Sequence, residues 1–257
     1  MPDQQIQSKG GLRQAPGRPV GRLWILAVAL GLIVLAAAGW WAERRADLAR
    51  RLLATPAAAV ASHPDLVAFA SAEARPLFEH NCASCHGHAM TGNKAIGAPD
   101  LTDRVWVYGK GSVFDLERTI LYGIRSGQKK GHDVTEMPAF GERGMLTSAQ
   151  IDDVVQYLLA LNHRPHDSSA AVRGRDVFVG PTSCNDCHAF DAKGDAYYGA
   201  PDLTANVWMY GGDEQSLRDS IYYGRHGVMP GWRGKLSLEQ IRALAVYIHA
   251  RSGSKAN

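Results

Sequence analysis

Cysteine is scarce in this chain. There are four in 257 residues, too few for a disulfide framework in a protein of this size. A surplus of one charge sign is missing too. The net charge of +3 comes from 28 basic and 25 acidic residues, and the excess sits in residues 1–74 (8 basic, 5 acidic). Residues 75–163 carry 9 and 10, and residues 172–252 carry 9 and 9. No folded region has the basic face that nucleic acid requires, so no nucleic-acid partner is expected. Sustained apolar–polar alternation is absent, which argues against a major sheet and for an all-α fold. No paired carboxylates and no nucleophile–base constellation present themselves. What remains is ordinary for a folded chain: 46% hydrophobic and 21% charged residues, which exclude wholesale disorder.

One segment departs from that average. Residues 23–42 hold no charge and, at about 1.5 Å per residue, make a helix as long as the hydrocarbon core is thick. Trp24 stands at one end and Trp40 and Trp41 at the other, where indoles favour the interface. A cleaved signal peptide fits less well, because the apolar run is long and cleavage would follow two bulky tryptophans; a buried core helix is the third reading. A retained transmembrane anchor is expected. Lys9, Arg13, Arg18 and Arg22 precede it, and Arg44, Arg45, Arg50 and Arg51 follow. The positive-inside rule therefore gives no orientation. Residues 1–22 read as a disordered tail. Residues 43–74 read as a juxtamembrane linker, with a helix, a break and a short second helix.

The rest of the chain repeats itself. Cys82-Ala83-Ser84-Cys85-His86 returns as Cys184-Asn185-Asp186-Cys187-His188, and Gly97-Ala98-Pro99-Asp100-Leu101-Thr102 returns from Gly199 to Thr204. Val105-Trp106-Val107-Tyr108-Gly109 returns as Val207-Trp208-Met209-Tyr210-Gly211. Tyr122-Gly123 matches Tyr223-Gly224, and Met137-Pro138 matches Met229-Pro230. The offset shrinks along the way, so the first copy carries an insertion over 124–136. Two domains follow, 75–163 and 172–253, joined by a linker over 164–171. Helices are predicted over 74–81, 113–122 and 147–161 in the first copy, and over 172–179, 215–222 and 237–250 in the second.

C-x-x-C-H is the attachment motif of c-type haem. Its two thiols add to the two vinyl groups of the porphyrin, and the adjacent histidine reaches the iron. A four-cysteine zinc ribbon needs its pairs far closer together. A thioredoxin-like motif gives no reason for His after both pairs. Cys82, Cys85, Cys184 and Cys187 are thus expected to hold two covalent haem c groups, with His86 and His188 as iron ligands. Methionine is a usual sixth ligand in cytochromes c. Only Met137 and Met229 recur in register, each before Pro and before a closing helix. Each is expected to close the haem of its own copy. His132 and His226 are the alternatives. Trp106, Tyr108, Trp208 and Tyr210 would wall the haem from water, and a haem propionate is one acceptor for their N–H and O–H groups.

Both copies resemble class I cytochrome c domains. The run of motifs from Cys82 to Met137, and more closely that from Cys184 through Trp208, Tyr223-Gly224-Arg225 and Met229 to the final helix, resembles the dihaem subunit III of cbb3-type cytochrome c oxidases. The resemblance implies an all-α protein, one N-terminal transmembrane helix followed by two tandem class I cytochrome c domains. It would lie in the bacterial inner membrane with the haem domains in the periplasm. It would pass electrons to the oxidase's catalytic subunit beside a monohaem subunit, with soluble cytochrome c as a candidate donor and no catalytic site of its own. It also implies that Pro99 and Pro201 offer carbonyls to the proximal histidines. A stand-alone tethered carrier, or the cytochrome subunit of a periplasmic dehydrogenase, is the alternative. A haem peroxidase or ligand sensor would need an iron with an open position.

Overall fold

The computed structural model describes residues 20–181 and 184–253. Most of the expected tail over 1–22 lies outside them. Its last residues are helical instead, because α1 (Val20–Ala54) begins at Val20. The anchor and the juxtamembrane helix are one element. Residues 43–54 are Ala, Leu, Arg, Glu and Asp with no Gly or Pro, so nothing breaks the helix until Thr55, which precedes Pro56 and is steered away from helical backbone.

The chain divides between Asp47 and Leu48 into two compact units. In the first, the apolar side chains stand exposed, Leu35 at 70% and Trp40 at 60%. Among the described residues this is the one helix long and apolar enough to cross a membrane. At its end the guanidinium groups of Arg44 and Arg45 lie over the rings of Trp40 and Trp41, each 5.4 Å from the centroid, which gathers indole and cation where the apolar run stops.

The second unit opens with the last turns of α1 and continues as α2 (Ala57–Val60), α3 (Pro64–Asn81), α4 (Ala83–His86), α5 (Val113–Tyr122), α6 (Ser148–Leu161), α7 (Ser168–Phe178), α8 (Cys184–His188), α9 (Glu214–Tyr223) and α10 (Leu238–Arg251). Among the described residues there are only isolated β-bridges. Capping boxes start three helices, Ser112 with Asp115, Thr147 with Gln150 and Ser237 with Gln240, each satisfying N–H groups that the first turn leaves open. Two helices begin earlier than their sequence pattern suggests. α3 starts at Pro64, where proline's missing N–H costs nothing, and α7 starts at Ser168 with Asp167 as its cap.

The helices do not pack copy by copy. α10 lies on α3 and α5, while α6 lies on α7 and α9. One core joins Leu66, Ala70, Ala74 and Phe78 of α3 with Val113, Leu116 and Ile120 of α5 and Ile241, Leu244, Val246 and Ile248 of α10. The other joins Ile151, Val154, Val155 and Leu158 of α6 with Phe178 of α7 and Leu217 and Ile221 of α9. Domains read as 75–163 and 172–253 are therefore contiguous in sequence but share their closing helices crosswise. The physical reason lies between α6 and α7. Only residues 162–167 join them, and helices joined that tightly pack antiparallel on each other. Gly174 sits so close to the Asp153 carbonyl that a Cβ would collide with it. With α6 committed to α7, α3 is covered by α10. Each fully buried Phe or Leu in these seams contributes about 1.5–3 kcal/mol.

One buried ion pair fixes the end of α1 that belongs to this unit. Arg242 of α10 donates to Glu117 of α5 at 2.7 Å and to the carbonyls of Leu52 and Thr55 at 3.2 and 2.9 Å. The two side chains are 13% and 15% exposed. Arg242 thus satisfies carbonyls that the last turn of a helix leaves open.

Candidate functional site

Each C-x-x-C-H motif forms a single helical turn, α4 or α8. In the first, the amides of Cys85 and His86 both reach the Cys82 carbonyl, at 3.1 and 2.9 Å. That turn brings Cys82 and Cys85 to one side, since residues three apart on a helix are neighbours. No disulfide joins the four cysteines. Burial pushes the Cys82 thiol up to about 11, and pushes Cys187 up as well. These are settings that favour an uncharged sulfur, as a thioether is.

Both histidines are held alike. The Nδ1 of His86 lies 3.3 Å from the Pro99 carbonyl and that of His188 lies 3.2 Å from the Pro201 carbonyl, as the family resemblance implies. A carbonyl only accepts, so Nδ1 carries the proton and Nε2 keeps its lone pair for a metal. Burial lowers both imidazole pKa values, against the raising effect of the carbonyl, which holds both rings neutral and able to ligate. The Gly-Ala-Pro-Asp-Leu-Thr repeat explains itself here. Its start is closed by the bridges Asn93–Ala98 and Asp195–Ala200. Asp100 and Asp202 then each accept from the amide and hydroxyl of the Thr two residues on, at 2.6–2.8 Å.

The methionines are crossed. Met229, like Cys82 and Trp106, packs against the first core, and Met137, like Cys184 and Trp208, packs against the second. Their backbones are fixed crosswise too. Met229 exchanges both amide–carbonyl bonds with Ile124, at 2.9 and 3.0 Å, and Met137 exchanges both with Arg225, each at 3.0 Å. The Tyr-Gly repeats make room for this. Gly123 has φ +73 and Gly224 φ +69, and a Cβ on either would strike the Met-Pro backbone of the other copy. Each Met therefore lies against the core that holds the other copy's motif, not that of its own copy.

The alternative ligands are placed differently. His132 stacks on Tyr108 with centroids 4.1 Å apart and a 25° interplanar angle, and its Nε2 lies 3.2 Å from the Thr119 hydroxyl. His226 is exposed. The insertion over 124–136 packs on the second copy. Arg125 donates to the Gly227 carbonyl at 2.7 Å, beside Met229, and reaches the Thr135 carbonyl and the Tyr108 hydroxyl at 3.3 and 3.5 Å. Sequence reasoning named Arg225 only within the Tyr223-Gly224-Arg225 motif and did not name Arg125, because the repeat aligns them with unlike residues, Ile124 and His226.

The donor set fits a haem. The Trp106 indole N–H is buried with no partner, and an acceptor such as a propionate is what it lacks. Its counterpart Trp208 donates to Asn206 at 3.2 Å, a residue that replaces Arg104 of the first copy. Two thiols, one neutral imidazole and one thioether per site are ligands of the kind that hold haem c.

A family model described as cytochrome C oxidase, cbb3-type, subunit III matches residues 70–158 and 169–248. The chain is 36% identical to the Cbb3-type cytochrome c oxidase subunit CcoP of Cereibacter sphaeroides, over 84% of this chain and 72% of that protein. It is 40% identical to the CcoP of Azospirillum brasilense, covering 79% and 70% of the two chains. It is also 40% identical to the subunit FixP of Bradyrhizobium diazoefficiens, covering 82% and 71%.

Proposed function

The chain belongs to the family of cbb3-type cytochrome c oxidase subunit III, and on that premise we propose that it is a dihaem cytochrome, anchored by α1, that passes electrons to the oxygen-reducing subunit of such an oxidase. The observation that carries this is the pair of matched sites, each with two thiols on one helical turn, an imidazole with Nε2 open and a methionine delivered from the other copy. Haem c, when bound, supplies a one-electron ferric–ferrous couple.

The side chains do the rest. Cys82 and Cys85 hold one haem and Cys184 and Cys187 the other. His86 and Met229 ligate the first iron; His188 and Met137 ligate the second. Pro99 and Pro201 fix the imidazole rings, and the buried faces of Phe78 and Phe178 help exclude water. With an imidazole and a thioether both given over to holding the haem, each site would leave no room for a substrate and would serve electron transfer. The haem unit lies in the periplasm, where bacterial haem attachment takes place, and residues 1–22 lie in the cytoplasm. The partners are the catalytic and monohaem subunits of the oxidase, with a soluble cytochrome c as a donor. Intact mass after acid–acetone extraction is expected to exceed the polypeptide by two haems, and membrane co-purification to recover an oxygen-reducing subunit. A single retained haem, or a dehydrogenase as the co-purifying partner, refutes the reading. A reporter fused after Ala42 is expected to signal from the periplasm.

A further inference from the structure

The two tyrosines of the repeated Val-Trp-x-Tyr-Gly segment lie against the opposite copy. The Tyr210 ring rests on Gly97 so closely that a Cβ there would overlap it, and the Tyr108 phenol rests on Gly199 in the same way. These glycines, at φ +67 and +68, open the short loops whose third residues, Pro99 and Pro201, accept from the proximal imidazoles. The near end of each loop is pinned by its own bridge, Asn93–Ala98 or Asp195–Ala200. The Gly end has a tyrosine from the other copy set against it.

Both tyrosines are themselves held. His132 stacks on Tyr108 at 4.1 Å and is tied to Thr119. The Arg225 guanidinium sits 4.3 Å from the Tyr210 centroid and is fixed by two bonds to the Ser220 hydroxyl, at 3.1 and 2.9 Å. A wall for the haem of its own copy would not need such bracing toward the other copy's loop.

We propose that Tyr108 and Tyr210 are crossed positioning residues: Tyr108 braces the loop that orients His188, and Tyr210 braces the loop that orients His86. The inference rests on the covalent dihaem reading above. An Nδ1–H bond to a carbonyl makes an imidazole a stronger donor to its metal. The bonds here are 3.3 and 3.2 Å, near the outer limit for N–H···O, so a small retreat of the loop weakens them. The imidazole then stabilises ferric iron less, and the midpoint potential of that haem rises.

The test uses the complete chain with both haems. Cys184→Ala leaves one vinyl group of the second haem unreacted and moves its α-band to longer wavelength; Cys82→Ala tags the first haem in the same way. Redox titration at two wavelengths then gives each haem its own midpoint. Tyr108→Leu is expected to raise the midpoint of the haem at Cys187 and leave the other unchanged, and Tyr210→Leu to do the reverse. Tyr108→Phe and Tyr210→Phe, which keep the ring, are expected to titrate as the tagged parents do. If a Leu variant costs the chain a haem, its loss from the opposite copy alone supports the crossing. A shift in the same copy, an equal shift in both, no shift, or loss of both haems overturns it. If neither tag alters the α-band, the covalent dihaem reading itself fails, and the inference with it.

Discussion

Gly123→Ala tests the crossed architecture at the point where it is tightest. Gly123 ends α5 at φ 73 and ψ −173, a region essentially closed to residues with a Cβ and costing about 1–3 kcal/mol to occupy. The added methyl would strike the Met229 carbonyl and come within 2.6 Å of the Gly231 amide nitrogen and 2.8 Å of the Pro230 carbonyl carbon. All three are backbone atoms, so no rotamer change relieves the clash, and overpacking adds roughly 1–3 kcal/mol. A total of about 2–6 kcal/mol is a large share of the 5–15 kcal/mol that holds a typical domain. The strain falls on the segment that carries Met229. The near-infrared sulfur-to-iron charge-transfer band should therefore weaken for the haem at Cys82 and Cys85, and persist for the other. Gly224→Ala is the mirror experiment, with its Cβ 2.8 Å from the Ala139 amide nitrogen, and should weaken the band of the haem at Cys184 and Cys187. Gly127→Ala is the control. It has φ +74 but open space around it, so it should cost about 1–2 kcal/mol and leave both bands intact. If Gly123→Ala behaves like Gly127→Ala, or weakens the band of the second haem instead, the crossed placement of Met229 is refuted.

The elements legible in the sequence were those with local punctuation. α5 runs over 113–122 as read, because Ser112 and Asp115 cap one end and Gly123 closes the other. α6 and α10 are framed in the same way by Thr147 and Ser237. α3 reads from sequence as two pieces, a short helix running into the first folded unit and another over 74–81, because Ala70 and Ala74 in the middle of its inward face give little periodic signal; the start of α7 is hidden because Gly174 and two serines dilute its pattern. The seating of His86 and His188 on proline carbonyls followed from the family likeness. The crossing could not follow from it. Met137 and Met229 are equivalent by repeat, so both pairings satisfy every motif. The choice is made by the reach of residues 162–167, a constraint that exists only in three dimensions. Tyr108 and Tyr210 were hidden for the same reason: the repeat identifies them as counterparts without saying which loop each meets.

Three further expectations can be checked. Arg242→Ala strands Glu117 in a site where it is 15% exposed and frees the carbonyls of Leu52 and Thr55; removing one partner of such a pair costs about 3–5 kcal/mol in urea unfolding of the solubilised chain, and a loss under 1 kcal/mol would show the pair to be dispensable. Ser112→Ala and Ser237→Ala each remove a capping box and should cost about 1 kcal/mol by the same measurement. The last concerns the two tryptophans, which the repeat makes equivalent and the structure does not. Trp106 keeps its buried indole N–H without a protein partner, whereas Trp208 gives its own to Asn206. A bond from a neutral donor to a charged acceptor contributes about 1.5–3 kcal/mol, and bonding a propionate offsets negative charge close to iron. Trp106→Phe should therefore lower the midpoint potential of the haem at Cys82 and Cys85. Trp208→Phe, which loses only a bond between neutral groups, should move the second haem much less, and Asn206→Ala should leave that haem nearer to the behaviour of the first. Equal shifts from the two Phe variants in a redox titration would mean that Trp106 has no acceptor that Trp208 lacks.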